Sequence, residues 1–197
     1  LTNTSATGGY LAPTGNPQPL ADNALQDFIH DWLAGITGLP NQSVRPRWQP
    51  EPPNIPEVDT DWMAFGITRR AMLRGTPYEG HFPGNETFPN GYDELRAHDE
   101  FTVSCSVYGP NAERTTFRLS RGAYLAQNLE SLQLMSMGLI AVNDQVTVPE
   151  LIKLKWVNRI DVSIEIRRQM IFDYPVENLL SSEAVIHNES YSEPSIS

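Results

Sequence analysis

The chain has 197 residues and a formal net charge of −10, from 24 acidic against 14 basic side chains. That length suits one domain with extended arms. The acidity argues against a general nucleic-acid binder and against an anionic membrane partner, because both affinities come from neutralised phosphates. One cysteine, Cys105, excludes an internal disulfide framework and a cysteine-cluster zinc site.

Nine of the 16 prolines fall before residue 57, which points to irregular segments around a smaller core. Residues 1–19 are small, polar and proline-punctuated, as in a flexible arm. They lack the basic-then-apolar order of a signal peptide. No apolar run of about 18 residues, the length that spans a bilayer, occurs anywhere.

Residues 22–36 form the clearest helix. Leu25, Phe28, Ile29, Trp32, Leu33 and Ile36 make one apolar stripe. Asp22 is the expected N-cap, and Gly38 with Pro40 supplies the stop. Residues 40–60 are a proline-rich connector, extended and semi-rigid. It carries Arg45, Arg47 and Trp48, which either cover their own domain or anchor to another surface.

Residues 61–73 predict a strand. Met63, Phe65 and Ile67 line one face and Trp62, Ala64 and Gly66 the other, so both faces are expected to be covered. A long loop is expected over 74–94. From 95 to 108, Phe101, Val103, Cys105 and Val107 alternate with polar residues in a second strand, ended by Gly109-Pro110. One helix is expected over 111–134, capped by Asn111. Its small residues Gly122, Ala123 and Ala126 would let it sit close to a sheet.

A short strand follows at Leu139–Val142. Residues 145–148 are expected to pair back across the Asn143-Asp144 turn. From Ile160 to Tyr174 the alternation runs fifteen residues, longer than an ordinary strand. Such a strand bends or projects toward a partner. Residues 182–197 are a polar tail. The fold expected is α+β: a small mixed or antiparallel sheet flanked by two main helices, in one domain over 21–181 with arms at 1–20 and 182–197.

Chemistry is sparse. There is no phosphate-binding glycine loop, no nucleophile elbow and no zinc helix. The best enzymatic candidate is a small hydrolase site using His81, His98 and Glu100, although Asp99 points away from its two neighbours on a strand. Cys105 lies on an apolar face and has no basic sequence neighbour to activate it. Arg114, Arg118 and Arg121 fall on one helix sector. They are either a solvated face or a basic stripe meeting an acidic face of another subunit. Arg167 and Arg168, like Arg69 and Arg70, are strand-end charges open to the same two readings.

The run Arg45-Pro46-Arg47-Trp48-Gln49-Pro50-Glu51-Pro52-Pro53, with Asp61-Trp62, Ala64-Phe65-Gly66, Tyr108-Gly109-Pro110-Asn111-Ala112 and Tyr174-Pro175-Val176-Glu177-Asn178, is specific. It resembles the phage neck and tail-terminator-like family of tailed bacteriophages, over about residues 22–181. The resemblance implies a non-enzymatic virion protein without cofactors, assembled in the bacterial host cytoplasm. It implies a ring at the neck, commonly hexameric, that caps the tail tube. Its partners would be the tube protein, a sheath if the tail contracts, and the head-side connector or stopper. A connector or stopper role in the same neck, possibly with twelve copies, is a close variant. Genomic DNA would pass through the lumen without specific binding, which an acidic lining would favour. No membrane is implied. Arg45, Arg47, Trp48, Arg114, Arg118, Arg121, Arg167 and Arg168 are the candidate subunit-interface residues.

Overall fold

The computed structural model describes residues 9–18, 22–49, 54–73, 77–152 and 154–176. The tail expected at 182–197 lies outside them. The spine is an antiparallel ribbon of two long strands, β5 (Tyr92–Tyr108) and β10 (Arg159–Pro175), paired from Tyr108↔Arg159 to Tyr92↔Pro175. At about 3.4 Å per residue the ribbon is roughly 55 Å long. The long C-terminal strand therefore does not project alone, because β5 matches it residue for residue.

Each outer edge of the ribbon is covered in pieces. Along β5 lie β3 (Trp62–Met72), then β4 (Tyr78–Phe82). Along β10 lie β7 (Val146–Thr147), β6 (Met137–Val142) and β1 (Thr14–Gln18). A short strand β2 (Val44–Pro46) pairs parallel to β3, so the sheet is mixed.

Three expectations about loops are corrected here. The segment 74–94 contains β4 and the start of β5, a hairpin rather than one long loop. Its alternation was hidden by Gly80, Asp93 and Glu94. The connector at 40–60 contributes β2, because Pro46 sits at the sheet's edge, where its missing N–H costs nothing. Part of the expected flexible arm, Thr14–Gln18, is the strand β1.

Helix α1 (Asp22–Thr37) follows its apolar stripe, burying Leu25, Ile29, Trp32 and Leu33. Asp22 opens that span with a left-handed φ of 49°. Gly38, at φ 71°, donates its N–H to the Ala34 carbonyl at 2.9 Å and ends the helix as expected. The single helix expected over 111–134 is two, α2 (Ala112–Gly122) and α3 (Ala126–Gln133). Leu125 is extended between them, and the Asn128 side chain donates to the Gly122 carbonyl at 2.8 Å. Periodicity continues through the break, so only these tertiary bonds disclose it. Of the small residues expected to bring the helix close to the sheet, Gly122 faces another helix. A Cβ on Gly122 would stand 2.7 Å from Ile36 Cγ2, so at that position the clearance serves α1.

The helices pack on one face of the ribbon. The core joins Leu25, Ile29 and Leu33 to Phe65, Phe101, Val103, Val107, Ile160, Val162, Ile164 and Ile166, with Leu119 and Leu132 above. Val146–Thr147 pairs with β10, not back across the turn with β6. The Asn143 N–H donates to the Ser163 carbonyl, and its side-chain amide to Ser163 Oγ and the Glu165 carboxylate. These bonds lead the chain along β10.

Candidate assembly surfaces

The proline-rich block is tied into the molecule. Arg45 donates from Nε to the Gln42 carbonyl at 3.0 Å and from Nη1 to the Asn54 carbonyl at 2.8 Å. Its guanidinium thus clips the connector to itself. The Arg47 N–H extends the β2–β3 pairing to the Phe65 carbonyl, and its Nη2 donates to Ser106 Oγ at 2.8 Å. Trp48 is 63% exposed, yet its ring lies flat on Gly66. A Cβ there would approach Trp48 Cζ3 to 2.5 Å, so the glycine makes room for the indole. The indole covers the sheet face opposite the helices rather than the core.

Two other distant segments meet at the near end of the ribbon. Asp61 accepts from the Asn111 N–H at 2.8 Å and from its side-chain amide at 2.9 Å. The expected N-cap side chain is therefore spent on Asp61, not on its own helix. Gly109 holds φ 111°, and a Cβ would stand 2.7 Å from the Thr60 carbonyl oxygen, so no other residue fits without strain. Trp62 stacks on Tyr108 at 4.2 Å, and Arg159 lies over the same tyrosine at 5.8 Å. Arg159 also forks onto Asp161 with two bonds of 2.8 Å and reaches Glu150 at 3.0 Å. Burial opposes ionisation of Asp161, but the Arg159 fork and the Ser106 hydroxyl together hold its carboxyl below the usual range.

The three arginines of α2 do not act alike. Arg118 reaches the Thr37 carbonyl at 3.4 Å, at the C-terminal end of α1, where a cation is favourable. All three arginines are exposed, and with Glu113, Phe117, 47% exposed, and Pro110 they line an open groove of about 660 Å³ along α2. Arg167 is exposed on the open sheet face. Its neighbour Arg168 is buried, 3.6 Å from Asp99 and above the Phe101 ring.

The candidate hydrolase residues do not converge. His81 pairs with Asp93 on the β4–β5 hairpin. His98 faces Gln169 across the ribbon. Asp93 and His98 are five positions apart on β5, about 17 Å. Among the described residues no group of three His, Cys, Asp or Glu could hold a metal. Burial pushes the Cys105 thiol up to about 12, against the pull of Arg47, so it stays protonated at neutral pH.

One feature escaped the sequence reading. Strands β8 (Glu150–Ile152) and β9 (Lys155–Val157) form a separate two-stranded hairpin just before β10. Leu151, Leu154 and Trp156 are exposed, Trp156 at 74% and Leu154 at 92%. The available signal was compositional: Lys153 and Lys155 are the chain's only lysines.

The architecture is that of an α+β protein whose distinctive residues shape its own corners and whose surface carries exposed arginine and apolar side chains. The chain matches the family model of the phage neck terminator protein over residues 23–190, most of its length, and belongs to that family. No curated protein matches it significantly. It is thus a structural component of the phage neck that associates with other tail or head proteins. No helix among the described residues is long and apolar enough to cross a membrane.

Proposed function

We propose that the protein forms a ring at the neck, six copies closing on one another, which terminates the tail tube and joins it to the head-side connector or stopper. Family membership supports this reading. The observation that carries it is the α2 groove, where Arg114 and Arg121 flank the exposed Phe117. Arginine beside an aromatic is the composition of an interface hot spot. A net charge of −10 gives such a groove acidic surface to meet on a neighbouring copy.

Ring closure uses unlike surfaces on each protomer. The tube protein, and a sheath where the tail contracts, bind one rim, and the connector binds the other. DNA crosses an acidic lumen that repels its phosphates. In this reading 21–181 is the working domain, to which the preceding segment adds strand β1. Arg167 joins Arg114 and Arg121 as an intersubunit contact; Arg47, Trp48 and Arg118 combine an internal contact with an exposed side chain that a neighbour can reach, whereas Arg45 and Arg168 act through their internal roles.

The test is electron microscopy and native mass spectrometry of the purified chain. Six-membered rings are expected. Reversing Arg114 and Arg121 to Glu should abolish rings while leaving the thermal midpoint nearly unchanged, since both side chains are exposed. Twelve-membered rings would favour the connector or stopper role. A monomer at all concentrations, unable to bind tube or connector protein, would overturn the proposal.

A further inference from the structure

We propose that the β8–β9 hairpin of one copy docks on the acidic outer end of the β4–β5–β10 ribbon of the next copy. This rests on the ring reading above and names the two surfaces that join.

The hairpin is shaped before anything covers it. Its root is fixed by Val157, which is buried, and by Glu150 held to Arg159. Its middle pair sets Leu151 directly opposite Trp156, and Leu154 turns the chain at φ 65°. Leu151, Leu154 and Trp156 all face solvent. A lone two-stranded hairpin is marginal in water, and three large apolar side chains on one are unusual unless a partner covers them. The exposed Lys155, with Lys153 beside it in sequence, makes this the lysine-bearing point of an acidic chain.

The opposite end of the ribbon has the complementary character. Glu79, Glu86, Asp93, Glu94 and Asp173 gather there, against Arg96 and His81, the latter paired with Asp93. Glu94 and Asp173 stand directly opposite each other in the register, an arrangement that costs energy until a cation relieves it. Arg96 engages Glu94. Exposed Tyr78, in register with Arg96, supplies apolar ground beside these acids. The two surfaces lie at opposite ends of one rigid ribbon, as head-to-tail closure requires. The hairpin also shares its end of the molecule with the α2 groove, for the Gly109 N–H, just before α2, donates to the Asn158 carbonyl at 3.3 Å. The two form one basic and apolar end.

The experiment uses the full chain and measures self-association by analytical ultracentrifugation, with circular dichroism confirming the fold of each variant. Lys155→Glu combined with Trp156→Ala should weaken association by about tenfold or more. Lys155→Glu alone should be partly restored by Glu79→Lys. As a second route, Trp156→Cys and Tyr78→Cys chains are mixed under mild oxidation, the native Cys105 being buried. A disulfide-linked dimer should form only in the mixture. Rings that persist with unchanged association in the hairpin variants, and no mixed disulfide, would overturn this docking and leave the ring standing. A wild-type chain that never self-associates would overturn both. Loss of tube-protein binding with self-association intact would assign the hairpin to that partner and overturn the proposal as well.

Discussion

The two halves of the β5–β10 ribbon are the same structure with different chemistry. From Phe101 to Val107, and from Ile160 to Ile166, one face is apolar at each alternate position, and three helices cover it. From Tyr92 to Asp99 the same face reads Asp93, Leu95, Ala97, Asp99 and lies beyond the helix-capped cluster. The hydrogen-bond ladder is continuous across both. The ladder continues into the far half, where Ala97, Met170 and Arg168 are buried and Phe82 stacks on Tyr92, while the burial of one whole face marks the domain's core. The half beyond the helices keeps charge on both faces, which suits a surface offered to another protein.

Phe101→Ala should have the largest effect on folding, a loss of about 3–5 kcal/mol by chemical denaturation, because the ring is fully buried. Leu95→Ala, on the same strand and face but only half-buried, should cost about 1 kcal/mol. Equal losses at the two positions would erase the distinction between the halves.

Gly109→Ala comes next. It forces a side chain into a left-handed φ of 111° and against the Thr60 carbonyl, with an expected cost of about 1–3 kcal/mol. A neutral result would mean that the Asp61–Asn111 corner yields freely and does not set the near end.

The smallest effect lies in the far half and has the opposite sign. Burial, then the neighbouring Glu94, holds the Asp173 carboxyl above its usual range. A carboxyl with a raised folded-state pKa binds its proton more readily folded than unfolded, so its charge costs stability at neutral pH and the cost fades as the pH falls. Asp173→Asn should therefore stabilise the isolated chain at pH 7 by about 0.2–1 kcal/mol, and the gain should vanish below about pH 4, where the wild-type group is protonated. Stabilisation that persists at pH 3 would show that charge is not the cause.

Much of the fold was legible in local pattern. The stripe of α1, the alternation of Phe101 to Val107 and the long run from Ile160 stand in the sequence because each buries one face with its own period. What pattern could not carry was partnership. Asp93 and Glu94 break the alternation of β5, yet Tyr78 and Arg96 still pair across it. Gly122 looked like clearance for a sheet and is clearance for Ile36. The candidate site divides in the same way. The motif residues Arg45, Arg47, Trp48, Asp61 and Asn111 were conspicuous, but their contacts lie inside the molecule. The β8–β9 hairpin, with three exposed apolar side chains, had only two lysines to mark it.

The sequence by itself determined the acidity, the single inert thiol, the α+β composition and the family, because these depend on residue types and short-range order. The tertiary structure alone decided which arginines are free. Arg118 reaches Thr37 and Arg47 reaches Ser106 although both are exposed, Arg168 is buried, and Arg114, Arg121 and Arg167 lie at the surface. A guanidinium's partners are set by residues far away in the chain, and no local period records them.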